Sequence, residues 1–160
     1  MEKVSKIKEV VGDLIEMAEK GNFDVILHQA NCHGVFGGGI ALQLATQYPE
    51  VIEADRTTKR SDRSKLGSIS YCHINTKESN FTIVNCYGQY NLGPKEHDYN
   101  ALRSCLKEVK SRFAGKRLGM PKLACGLAGA DYTIVKQIIE EELGEEDVTV
   151  VIWKYEPSEH

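Results

Sequence analysis

Residues 28–41 read HQANCHGVFGGGIA, with Gly37, Gly38 and Gly39 in a row. Consecutive glycines weaken a helix or a strand, because glycine loses more backbone freedom on folding than any other residue. They therefore belong to a loop. Before them, residues 25–27 (VIL) run into His28 as a short apolar stretch suited to a buried central strand. After them, Ile40, Ala41, Leu44, Ala45 and Tyr48 recur at helical spacing. Strand, glycine loop and helix in that order form a unit of an α/β fold. A simple reversal needs only a short connection, so this composition is suited to letting the backbone approach a ligand closely.

The rest of the chain repeats the alternation. Residues 4–11 (VSKIKEVV) read as a strand, and Gly12-Asp13 opens a short helix over 14–20 that stops at Gly21. Pro49 permits a new helical turn through Val51 and Ala54. Residues 56–65 carry dense mixed charge and read as a solvated loop. Residues 67–74 and 81–87 read as two strands joined by a polar hairpin. Residues 88–97 form a loop, and Asp98 caps a helix whose inner face is Leu102, Cys105, Leu106, Val109 and Phe113. Residues 118–125 read as a strand, 126–130 as a second glycine loop, 132–143 as a helix and 148–153 as the last strand. The pattern predicts a three-layer α/β/α fold around a mixed, mostly parallel sheet. The 160 residues suit a single domain over 1–155, with a frayed tail over 156–160.

The net charge of -3 argues against a chain whose main partner is a nucleic-acid backbone. It leaves room for a small anion held by backbone N–H groups. The cysteines, Cys32, Cys72, Cys86, Cys105 and Cys125, are odd in number and contain no CxxC pair. Reduced thiols, a cytoplasmic setting and no zinc site are expected. No apolar run approaches the roughly 20 residues of a membrane span. No cofactor is expected, and the chain is expected to be a monomer.

Ligands of open α/β sheets bind outside the carboxyl ends of the strands, where both glycine loops fall. Each loop leads into a helix whose first N–H groups are unpaired and carry partial positive charge. A phosphate or diphosphate is the natural guest. The triphosphatase pattern GxxxxGK[ST] is absent, since no Lys follows Gly39. The dinucleotide pattern GxGxxG fails at Leu42 and would lie after the second strand rather than the first.

The motif HQANCHGVFGGGIA resembles the signature of the macrodomain family. So do VVGDL at the end of the first strand and MPKLACGLAGADY over 120–132. The three motifs span nearly the whole chain in the family's order. Within the family, HxxNxxGxxGGGIA is most similar to the branch containing ADP-ribose 1″-phosphate phosphatases. The branch that removes ADP-ribose from glutamate side chains is the nearest competitor. That branch carries an Asp directly after Gly-Leu, where this chain has Ala128. It also carries a Lys near the end of the strand over 81–87, whereas the next Lys here is Lys95.

The resemblance implies ADP-ribose as ligand, with ADP-ribose 1″-phosphate as substrate and ADP-ribosylated macromolecules as alternative partners. It places Asp13 at the adenine amino group with the Leu14 backbone beside it, and a shelf from Trp153 or Tyr155 against the ring. It places Asn31 at the distal ribose. Gly37, Gly38, Gly39, Ile40 and Ala41 would supply backbone donors to the diphosphate, as would Gly126, Leu127, Ala128, Gly129 and Ala130 from the other side. Gly12, Ala30, Cys32, Phe36, Ala124 and Cys125 complete the implied ADP-ribose site. His28 is the expected proton donor to the leaving ribose oxygen, with His33 as an alternative. Asp131 is expected to position the attacking water. No metal is expected. Each residue also has a plainer reading: Asp13 and Asp131 as helix caps, Asn31 as a turn residue, His28 and Trp153 as core. An ADP-ribosyl hydrolase and a non-catalytic reader of ADP-ribose are the competing functions.

Overall fold

The computed structural model of the protein describes residues 7–93, 95–125 and 128–155. Six strands form one sheet: β1 (Ile7–Gly12), β2 (Val25–Asn31), β3 (Ile69–Asn75), β4 (Asn80–Gln89), β5 (Arg117–Met120) and β6 (Asp147–Trp153). Their spatial order is β1-β6-β5-β2-β4-β3. Every neighbouring pair is parallel except β3 with β4, which is the expected hairpin. The helices are α1 (Leu14–Glu19), α2 (Gly39–Gln47), α3 (Glu50–Arg56), α4 (Tyr99–Phe113) and α5 (Tyr132–Leu143).

Alternation along β2 shows how the layers divide. Val25 and Leu27 join the core beneath α4 and α5, with Leu102, Leu106, Val135 and Ile139. Ile26 points the other way, into the core beneath α1, α2 and α3, with Leu14, Leu44 and Val51. Successive side chains of a strand point to opposite faces, so a strand buried on both faces reads as an unbroken apolar run. This is the three-layer α/β/α arrangement. Asp13, Asp98 and Asp131 cap α1, α4 and α5, each through a side-chain oxygen on a backbone N–H of the first turn.

The expected boundaries shift where local chemistry overrides pattern. Residues 4–6 of the expected first strand and the tail over 156–160 lie outside the described residues. β1 has one neighbour only among the described residues, and Val11 is 71% exposed. β4 runs on to Gln89 through Gly88, where a Cβ would clash with the Gln29 side-chain amide. β5 is shorter than the expected 118–125: it ends at Met120. Pro121 has no N–H for the ladder, and Ala124 adopts φ +63°, so residues 122–125 belong to the second loop. The charged segment over 56–65 is not wholly solvated. It ends in a 3₁₀ turn, Arg63–Lys65, capped by Asp62, and Lys65 is buried.

Candidate ligand site at the carboxyl edge of the sheet

Because β1, β6, β5, β2 and β4 are parallel, their carboxyl ends share one edge. There the chain leaves β2 through the first glycine loop. Asn31, at the end of β2, shapes that loop with its own side chain. Its Oδ1 accepts from the backbone N–H of His33 (3.0 Å) and Val35 (3.3 Å), and its Nδ2 donates to the carbonyl of Val35 (2.8 Å). Gly34 turns the loop at φ +70°, where a Cβ would lie 2.6 Å from Asp55 Oδ2. Phe36 is half-buried, and its ring lies 6.1 Å from that of His28. Gly37, Gly38 and Gly39 are exposed. Gly38 precedes α2 without a side-chain cap, and Gly39 begins the helix at φ +56°. A Cβ at Gly38 or Gly39 would meet nothing within 4 Å. The amides of Gly39, Ile40 and Ala41 precede the first helical hydrogen bond, made by Leu42 N–H to the Gly38 carbonyl at 3.2 Å. This is an open helix N-terminus with bare backbone in front of it, a geometry that accepts phosphate oxygens.

The second loop faces the same edge after β5. Ala130 N–H closes it on the carbonyl of Ala124 (2.8 Å), with Gly129 at φ +75°. Cys125 lies within it, and Gly126 and Leu127 fall outside the described residues. His97 pins the loop by donating from Nδ1 to the Ala128 carbonyl at 2.8 Å. Asp131 is exposed at the start of α5, where its Oδ1 accepts from Thr133 N–H at 2.9 Å. Nothing in the local sequence marks His97 as a support, since it acts on a residue far along the chain.

At the other end, strand register sets Gly12 beside Trp153. Asp13 uses Oδ1 to cap α1 through Ile15 N–H (3.1 Å) and Glu16 N–H (3.2 Å). Leu14 is buried beneath it. Trp153 and Tyr155 are both exposed and meet edge to face at 5.2 Å. The structure thus brings a carboxylate and two aromatic rings together at the end of β1 and β6. Ala30 and Cys32 direct their side chains into a small core with Tyr87, which leaves them only backbone atoms for a ligand.

His28 is not presented to this edge. It shares the parity of Ile26, and its ring is wholly enclosed. Nε2 donates to Asn85 Oδ1 at 2.5 Å. Nδ1 has no partner among the described residues. Burial pulls its pKa below the ordinary value, against the opposing pull of Asn85, so the ring is neutral. The expected role as proton donor in the cleft does not fit an enclosed, neutral imidazole. From Asn85 a buried polar chain continues: Asn85 Nδ2 donates to Ser70 Oγ (3.0 Å), which meets Tyr87 Oη (2.7 Å). Tyr87 donates to Asp55 Oδ1 (2.7 Å), which also pairs with Lys65 Nζ at 3.1 Å. Burial holds the Tyr87 phenol above its ordinary pKa, so it is the donor. No group of three or more His, Cys, Asp and Glu is gathered as a metal site among the described residues. No helix there is long and apolar enough to cross a membrane.

The fold is that of one protein class. The chain matches the Macro domain family over residues 27–139 and belongs to it. It is 24% identical to the ADP-ribose 1″-phosphate phosphatase of Saccharomyces cerevisiae over 180 residues, covering 92% of this chain and 98% of that protein. A protein of unknown function from Bacteroides thetaiotaomicron superposes with a TM-score of 0.75 at 31% identity, over 91% of this chain and 97% of that one. Thermosipho africanus DarTG in complex with ADP-ribose superposes with a TM-score of 0.75 at 16% identity, over 96% of this chain and 43% of that one.

Proposed function

We propose that the protein binds ADP-ribose and hydrolyses ADP-ribose 1″-phosphate to ADP-ribose and phosphate. The observation that carries this reading is the uncapped start of α2, with Gly38 and Gly39 open in front of it at the carboxyl edge of the sheet. The amides at Gly39, Ile40 and Ala41 hold the diphosphate, and the second loop, held by His97, closes over it. Asp13 accepts from the adenine amino group, with Trp153 or Tyr155 against the ring. Asn31 holds the loop in the shape that receives the distal ribose. The similarity to the yeast phosphatase supports the choice of substrate. Ala128, where the glutamyl-hydrolase branch has an acid, weighs against the hydrolase alternative. His28 is a buried support, and Asp131 is exposed where it can orient water.

Calorimetry with ADP-ribose, beside phosphate release from ADP-ribose 1″-phosphate in EDTA, tests this. Binding and metal-free release are the expected results. Binding without release would make the protein a reader. Failure of both would overturn the reading of the glycine loops.

A further inference from the structure

We propose that Ser61, His33 and Asn91 form a nucleophilic triad beside the first glycine loop, with Ser61 Oγ attacking the phosphorus of the substrate. The proposal rests on the phosphatase reading and supplies the chemical group that an enclosed His28 does not. His33 Nδ1 lies 2.7 Å from Ser61 Oγ, and His33 Nε2 lies 3.1 Å from Asn91 Oδ1. An amide oxygen only accepts, so Nε2 carries the ring proton. Nδ1 is then left to accept from the serine hydroxyl. This is the order of nucleophile, base and orienting group that defines an activated serine.

The backbone holds the serine at the ligand edge. Ser61 N–H donates to the Cys32 carbonyl at 2.7 Å, just past the end of β2. The Ser61 carbonyl accepts from Tyr90 Oη at 2.7 Å, just past the end of β4. Ser61 itself adopts φ +60°, a conformation that serine rarely takes outside constrained sites. Two cations of the same arm contact its partners His33 and Tyr90. Arg60 Nε donates to the His33 carbonyl at 3.0 Å, and the Arg63 guanidinium lies 4.1 Å from the centre of the Tyr90 ring. A phosphate monoester beside the serine would be drawn by both charges.

In the first step the Oγ–P bond forms, the P–O1″ bond breaks, and His33 Nδ1 takes the hydroxyl proton. The departing ribose oxygen lies opposite the nucleophile in an in-line displacement, so its proton comes through solvent, and His33 returns its own to solvent. In the second step water gives a proton to His33 Nδ1 and attacks phosphorus. The P–Oγ bond breaks, and Ser61 Oγ recovers that proton. The sum is substrate plus water to ADP-ribose plus phosphate.

The test is phosphate release by Ser61→Gly, which suits the left-handed backbone, and by Ser61→Ala. Release should fall by about 100-fold or more in both, while ADP-ribose affinity by calorimetry stays at the wild-type value. Asn91→Ala should lower kcat, and Asn91→Asp, which keeps an acceptor, should restore it. Acid-quenched wild-type enzyme should carry phosphate on Ser61. Wild-type release that survives Ser61→Gly overturns the triad and leaves the phosphatase reading intact. If the wild type releases no phosphate, that reading falls, and a fluorophosphonate probe then decides the triad alone. Labelling of Ser61 that disappears in His33→Gln sustains an activated serine, and an unlabelled Ser61 removes it.

Discussion

His28 shows how a single position acquires a role from its face of the sheet. It faces Asn85 across the β2–β4 pairing, and the amide holds the only ring proton that a neutral imidazole has. A titratable ring at the end of an apolar strand suggests catalysis from sequence. Parity with Ile26 and contact with Asn85 are properties of the folded sheet, and they make the ring interior. The consequence is a pH dependence of stability. In the unfolded chain His28 protonates near pH 6.5. In the folded chain burial depresses that pKa, so the unfolded state binds the extra proton first. Stability is therefore full above about pH 6.5 and declines as pH falls below it. His28→Gln keeps a donor for Asn85 but removes the titration. Urea midpoints measured across this window should slope less in the variant than in the wild type; equal slopes would remove the argument.

At the scale of the element, the first glycine loop was legible because it is local: strand, three glycines and helix lie within one stretch of chain. The second loop was less so, because MPKLAC reads as an apolar strand until Pro121 and the φ +63° of Ala124 end the ladder. Helix α2 allows stability and ligand binding to be separated. Gly38 is its N-cap, with extended backbone at φ -160° and empty space where a side chain would go. Asp is a favoured cap, better than Gly by a few tenths of a kcal/mol. Gly38→Asp should therefore leave the melting temperature unchanged or slightly higher. The same carboxylate occupies the anion position and repels a diphosphate, so ADP-ribose affinity should fall by about tenfold or more, a loss of at least roughly 1.4 kcal/mol. Thermal melts and calorimetry on one sample check both halves, and retained affinity would place the diphosphate elsewhere.

Across the whole molecule, the segment over 56–65 is where composition misled most. Its charges suggest a solvated loop, yet Lys65 reaches inward to Asp55, and Tyr87 of the sheet completes the contact. The partners are 10 and 32 residues apart from Asp55 in sequence, and no local pattern joins them. This buried pair fastens the end of α3 and the arm after it to β4, and Asp55 Oδ2 backs Gly34 in the first loop. The arm that carries Ser61 thus depends on an ion pair beneath it. Burying two charges costs several kcal/mol each, and their attraction offsets this only while both are present. Lys65→Met leaves the Asp55 carboxylate buried without its cation and should destabilise the fold by about 3–5 kcal/mol. Adding Asp55→Asn removes the orphan charge while keeping an acceptor for Tyr87. The double variant should then recover most of the loss. Urea unfolding of the wild type, the single variant and the double variant measures the coupling, and additive losses would show that the pair is not a unit.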